Sequence, residues 1–296
     1  MKKRMTLGDR AVDIFANIIC GFLAFLCLMP VIHTLAISLS RSSVVEANMV
    51  YFWPVDFTLA SYKEILKDAQ FFRSFGISVA RVVVGCTWQI CLVTLCAFPM
   101  AHTSKQFRGR NVIMVILMFC NLFGGGLIPY YMVVNALGLV NTIWVLTCTG
   151  FSIGNAILLM NFFRNLPKEL EEAAEVDGAS PYRILISIFV PLSMPCLATI
   201  LLFNFVGHWN SYFDGLIYMS HTKNYPLQTY IYTLNSQLTA ENMAWLTPDE
   251  IARLSEISGK SFSAAKVFVA MIPILCIYPF MQKYFTKGLV VGAVKG

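Results

Sequence analysis

Charge is what this sequence lacks most. Only 13% of its 296 residues are Asp, Glu, Lys or Arg, about half of the roughly 25% found in soluble domains. Too few solvated side chains remain to coat a water-facing surface. Cysteine is present nine times, yet no C-x-x-C pair occurs and every cysteine lies in an apolar run. That pattern excludes a disulfide framework and a zinc ribbon, and leaves small packing residues. The four histidines show no metal-ligand spacing and no H-E-x-x-H. "SGKS" (258–261) is not a phosphate loop: Leu254 stands where the first glycine belongs, and no strand precedes it. The apolar runs also hold almost no acids, which an ion-gradient-driven carrier needs for coupling. Asp214 is the nearest candidate. No catalytic pair stands at membrane depth, so an intramembrane enzyme is equally unsupported.

Long hydrophobic runs are what is present. About 20 apolar residues cross a bilayer as a helix, and six runs reach that length: Ile14–Ile37, Phe75–Met100, Val112–Val134, Thr142–Phe163, Pro195–Met219 and Phe262–Met281. The first is too long for a signal-peptide core and reads as an uncleaved helix. Lys and Arg then assign the sides. With a cytosolic N-terminus, the inner segments hold Lys2, Lys3, Arg4, Arg10, Lys105, Arg108, Arg110, Arg164, Lys168, Arg183, Lys283, Lys287 and Lys295. The longer outer loops hold Arg41, Lys63, Lys67, Arg73, Lys223, Arg253 and Lys260. The bias puts both termini in the cytosol. The net charge of +6 is thereby a topology signal, with no need for nucleic acid. Two short interfacial helices are expected in the outer loops, within 53–66 and 247–257.

One inner loop breaks the apolar pattern. "NLPKELEEAAEVDGASPYRIL" (165–185) carries helix punctuation: Pro167 suits a first turn, Gly178 suits a stop, and Ser180 with Pro181 suits a new start. Leu166, Leu170, Ala173 and Ala174 share a stripe at helical spacing. The expectation is a surface helix of about 16 Å at 1.5 Å per residue, a glycine-pivoted elbow, and a second helix returning to the bilayer. Pro191 and Pro195 break the run from Ile184 to Met219, so the crossing starts near Pro195. An apolar stripe facing water is either a bare connector or the seat of a partner.

"EAAEVDGASPYRILISIFVP" (172–191) resembles the EAA loop of ABC importer permeases: E-A-A, two residues, D-G-A, eight residues, then I-x-hydrophobic-P. The matching positions are Glu172, Ala173, Ala174, Asp177, Gly178, Ala179, Ile188 and Pro191, with Val190 where leucine is usual. "GGGLIPYYMVVNALGLVNTIWVL" (124–146), "FNFVGHWNSYF" (203–213) and "YPFMQKYFTKGLVVGAVKG" (278–296) resemble the carbohydrate-uptake, maltose-type subfamily, most of all its oligosaccharide branch, which includes uronate-containing cargo. The resemblance implies an all-α integral membrane protein forming one permease domain over 1–296, with six transmembrane helices and a cytosolic coupling helix in the loop 165–191. It further implies a bacterial plasma-membrane location and a second homologous permease. Two ATPase subunits binding ATP and Mg, and an extracytoplasmic solute-binding protein, complete the expected assembly. This chain itself would need no cofactor and would catalyse nothing. A permease for a non-sugar solute stays open as an alternative.

Polar residues inside the runs are the candidates for touching cargo. In the fifth run Asn204, His208, Trp209 and Asn210 combine a stacking ring with hydrogen-bonding groups; the alternative is an aromatic belt with polar companions. Arg81 and Lys266 either snorkel to headgroups or line a path for an anionic sugar. In the fourth run Thr147, Gly150, Gly154 and Asn161 share a face, with Gly150 and Gly154 spaced for close helix contact. Gly124–Gly126 with Pro129 should break the third run.

Overall fold

The computed structural model describes residues 7–103, 106–237 and 259–293. The expected helix within 247–257 lies outside them. Among the described residues the chain is helical, with one isolated antiparallel bridge between Ser40 and Phe57. The helices are α1 (Leu7–Ser38), α2 (Ser42–Glu46), α3 (Ala60–Lys67), α4 (Ala69–Ala101), α5 (Arg110–Leu122), α6 (Leu127–Ala136), α7 (Ile143–Thr147) and α8 (Ile153–Arg164). They continue as α9 (Lys168–Val176), α10 (Pro181–Ile184), α11 (Val190–Leu192), α12 (Met194–Asn210), α13 (Phe213–Tyr218), α14 (Leu227–Gln237) and α15 (Lys260–Ala293). A π-helical stretch, Leu185–Phe189, joins α10 to α11.

Among the described residues three helical stretches are long and apolar enough to cross a membrane: Val12–Ser38, Ala69–Ala101 and Lys260–Pro279. They contain the first, second and most of the sixth expected runs. The third run is bent, and so is the chain that leads into the fifth, just before Pro195 as expected. α5 and α6 meet at 116°, and the stretch Pro181–Leu192 meets α12 at 81°; counting each bent pair as one crossing gives up to five. The first bend falls on the glycine cluster, where Gly126 takes φ +82. The second falls at Ser193, with Pro195 opening α12, as the prolines dictate. The fourth run, Thr142–Phe163, is no continuous span. It is the short α7, an unwound segment over 148–152, and the twelve-residue α8.

The chain forms two compact units, one of residues 1–69 with 231–272 and one of residues 70–230 with 273–296. In the first, α2 and the end of α1 share a small core of Ala36, Val45 and Val50. Lys266 of this unit is 1% exposed and donates to Asp68 Oδ2 at 2.6 Å. Its ammonium also lies 4.2 Å from the Phe262 ring centre, a favourable cation–ring placement. The snorkelling reading of Lys266 is therefore wrong: a neighbouring acid at the α3–α4 junction holds the cation indoors.

In the second unit α4 is the organising rod. Its buried residues include Ser74, Ser78, Arg81, Gly85, Gln89, Val93, Ala97 and Met100, at the three-and-four spacing that keeps one stripe of a helix inward. The stripe changes character along its length, polar from Ser74 to Gln89 and apolar from Val93 to Met100. The apolar part joins Leu159, Met160 and Phe163 of α8, Ile184, Leu185 and Phe189, and Cys196, Leu197 and Ile200 of α12 in the main core.

Candidate functional site: the elbow and the polar stripe of α4

The elbow forms as its residues demand. Pro167 sits at the N-cap, one position earlier than expected, and α9 begins at Lys168. Glu169 and Glu171 fall in its first turn, where acids complement the helix dipole. Asp177 caps the C-terminus, and Gly178 follows in the left-handed region at φ +75. The Gly178 amide donates to Glu175 O at 3.0 Å and the Ala179 amide to Ala174 O at 2.9 Å. That pair of bonds is a Schellman closure. A side chain at Gly178 would meet nothing within 4 Å, so its backbone angle, and not crowding, demands glycine. Ser180 Oγ then accepts from the Arg183 amide with Pro181 in the first turn, which restarts the chain as α10.

The elbow has two faces. Leu166, Ala174, Ala179 and Ile188 pack against the main core. Leu170, Val176 and Tyr182 are exposed, at 43, 88 and 72%, and Glu172, Ala173, Asp177 and Pro191 are exposed with them. The motif residues thus divide between an inward anchor and an outward face, where Glu172 and Asp177 stand beside the exposed Leu170, Val176 and Tyr182. Behind α9 lies a cavity of about 660 Å³ lined by His102, Arg110, Arg164, Lys168, Glu171 and Glu175 among others. At its edge the end of α4 is tied down. Arg110 Nε and Arg164 Nη2 both donate to Met100 O, at 3.0 and 3.2 Å. His102 pairs with Phe98 O at 2.9 Å through Nδ1, and with Glu171 Oε1 at 2.6 Å through Nε2. Sequence reading missed this bond. Its only sequence signal is a histidine closing an apolar run just before a basic loop.

Among the five path candidates, Arg81 is 3% exposed and grips Asp214 with both terminal nitrogens, while Nη1 also donates to Ser211 O at 3.2 Å. Ser211 Oγ and the Gly215 amide add bonds to Asp214 Oδ1 at 2.8 and 2.9 Å. The break between α12 and α13 is stitched to α4 by this cluster, and the snorkelling reading of Arg81 is wrong as well. His208 lies over Gly85, where an added Cβ would come within 2.5 Å of Nε2. Trp209 is 2% exposed, with ring centres of Phe75 at 5.6 Å and Phe205 at 6.1 Å. Asn204 accepts from Asn155 Nδ2 at 3.3 Å, and its own Nδ2 has no partner among the described residues. Asn210 ends α12 exposed. The structure brings Arg81 and His208 to one stripe of α4, seals Trp209 between phenylalanines, and leaves Asn210 apart.

The unwound segment of the fourth run has its carbonyls answered from outside. Trp88 Nε1 donates to Cys148 O at 3.2 Å, Tyr130 Oη to Thr149 O at 2.8 Å, and Gln89 Nε2 to Gly150 O. Gln89 Oε1 also accepts the Ser152 amide at 3.3 Å. Unpaired backbone is prohibitive at membrane depth unless protein satisfies it, and three side chains from α4 and α6 do so. The glycine pair expected to make a helix contact is split: Gly150 lies in the unwound segment, and Gly154 has nothing within 4 Å of an added Cβ. Among the described residues no group of three metal-binding side chains converges.

Long apolar helices of this kind are those of a membrane-embedded protein. Residues 74–291 match the family described as "Binding-protein-dependent transport system inner membrane component", and the chain belongs to it. Two relatives come from Bacillus subtilis (strain 168). Protein LplC is 35% identical across 98% of this chain and 97% of its own length. The polygalacturonan/rhamnogalacturonan transport system permease protein YtcP is 34% identical across 96% and 99%. Among solved structures, a chain from a bacterial ABC transporter involved in the import of the acidic polysaccharide alginate superimposes with a TM-score of 0.83 at 27% identity, covering 96% of this chain and 100% of that one.

Proposed function

We propose that the protein is one permease subunit of an ATP-driven importer of oligosaccharides, with uronate-containing chains as the favoured cargo. The observation that carries the transport mechanism is the elbow, a short helix closed by backbone bonds at Gly178 and bearing an uncovered face of Leu170, Ala173, Val176 and Tyr182. That face is the seat for a separate ATPase subunit, and Glu172, Ala173, Ala174, Asp177, Gly178, Ala179, Ile188 and Pro191 fix its shape. The cargo class is drawn from the relatives, one named for polygalacturonan and one solved as an alginate importer.

In this reading both termini and the elbow are cytosolic, following the Lys and Arg bias. Six crossings result when the two bent pairs and the α7–α8 pair each count as one. A second permease completes the pathway, a solute-binding protein delivers cargo outside, and closure of the ATPase pair moves the elbow. The rival ion-driven carrier loses its coupling acid, because Asp214 is already engaged by Arg81, Ser211 and Gly215. The test is copurification from membranes followed by a glycan panel. An ATPase subunit should accompany the chain, cross-link at position 176, and turn over faster with oligogalacturonate-loaded binding protein. Absence of any copurifying ATPase removes the proposal; stimulation by neutral oligosaccharides alone removes only the uronate assignment.

A further inference from the structure

We infer that His102 and Glu171 form a strut that makes α9 and α4 move as one body. The inference rests on the elbow being an ATPase seat, and it names the route by which motion leaves that seat. α9 is only nine residues long and a cavity of about 660 Å³ lies behind it. Ala174 anchors one side of α9 to the main core; on the side of this cavity a push reaches the rest of the unit through a side chain that spans it. His102 does so. It follows the last residue of α4, is 17% exposed, and reaches Glu171, 16% exposed, at 2.6 Å.

The histidine is itself braced, so a load on Glu171 enters the rod. Its other ring nitrogen pairs with Phe98 O one turn back at 2.9 Å, and its ring meets the Phe98 ring edge-on at 4.9 Å. Phe98 in turn contacts Phe189, at 5.1 Å, on the stretch that leaves the elbow. Arg110 and Arg164 hold the adjoining carbonyls of α4. From there α4 runs 20 residues to Arg81, about 30 Å at 1.5 Å per residue, where it meets the Asp214 cluster. Three fastenings along one helix, at His102, Gln89 and Arg81, therefore link the elbow to the unwound segment and to the α12–α13 break. His102 and Glu171 are positioning residues in this scheme, touching neither nucleotide nor cargo.

The test uses the complex copurified with its ATPase subunits in nanodiscs, with genetically encoded nitroxides at Glu169 on α9 and Val83 on α4. The label–label distance is read without nucleotide and after trapping with ATP and vanadate. In the parent protein the two distance distributions should coincide, and His102→Gln, which keeps a donor toward Glu171, should preserve that. In His102→Ala and, independently, in Glu171→Leu, trapping should shift or broaden the peak; either variant suffices if the other fails to assemble. A parent peak that moves on trapping overturns the strut, as does an alanine or leucine variant whose peak stays fixed. A missing cross-link from position 176 to the ATPase overturns the seat instead, so the two failures are distinct.

Discussion

α1 and α4 are nearly equal in length, 32 and 33 residues, and both are apolar enough to span a bilayer. None of the most apolar stretch of α1 is buried, whereas 39% of that of α4 is. The difference lies in the minority residues. α4 sets Ser74, Ser78, Arg81 and Gln89 on one stripe, each costly in lipid and each matched by a partner inside the protein. α1 places Phe15, Phe22, Leu23 and Leu26 outward, which lipid or another subunit accepts equally well. Hydrophobicity marks both as spans, and the buried polar stripe marks which one organises its neighbours.

The sharpest way to break that contrast is Asp214→Ala, which strands the Arg81 guanidinium. Losing one partner of a buried pair costs about 3–5 kcal/mol, so the detergent-solubilised protein should lose most of its folded yield in size-exclusion chromatography. Arg81→Gln should lower folded yield and, with it, uptake of every cargo alike; a selective loss of uronate uptake at normal yield would instead restore Arg81 to the path. Next comes Gly85→Leu, which forces His208 aside; overpacking costs about 1–3 kcal/mol, and His208→Ala in the same chain should recover much of the lost melting temperature. Gln89→Leu abandons Gly150 O and the Ser152 amide, for a loss of about 1–3 kcal/mol, read as proteolysis within 148–152. At the elbow Gly178→Val pays for its left-handed φ with about 1–2 kcal/mol, and ATPase copurification should fall further than stability does. The smallest effect belongs to α1: Leu23→Ala should shift stability by less than about 0.5 kcal/mol.

Local rules were readable in the sequence and long-range pairings were not. Gly178, Ser180, Pro181, Pro191 and Pro195 act through their own backbone angles and missing amides, so the elbow, its restart and the 81° bend follow from the residues themselves. The family resemblance placed the motif on that elbow. The reading of Arg81 and Lys266 as snorkelling cations went astray because nothing local announces Asp214 or Asp68, 133 and 198 residues away. The fourth run read as a continuous span because its composition is apolar throughout. Its unwinding depends on Trp88, Gln89 and Tyr130 offering donors from elsewhere in the chain. Trp209 looked available for a sugar ring, and only the folded chain sets Phe75 and Phe205 against it.

The three side chains that answer Cys148, Thr149 and Gly150 weld a seam that its backbone alone would leave loose. No side-chain hydrogen bond reaches residues 123–126 among the described residues, whereas Ser193, its Oγ unpartnered there, is fully buried and held through its backbone by Phe189 O, Val190 O and the Leu197 amide. Compliance is thus left to the glycine corner and withheld from the other two. Any swivel within this unit should turn at the glycine corner, while the aromatic-pinned joint travels with α4.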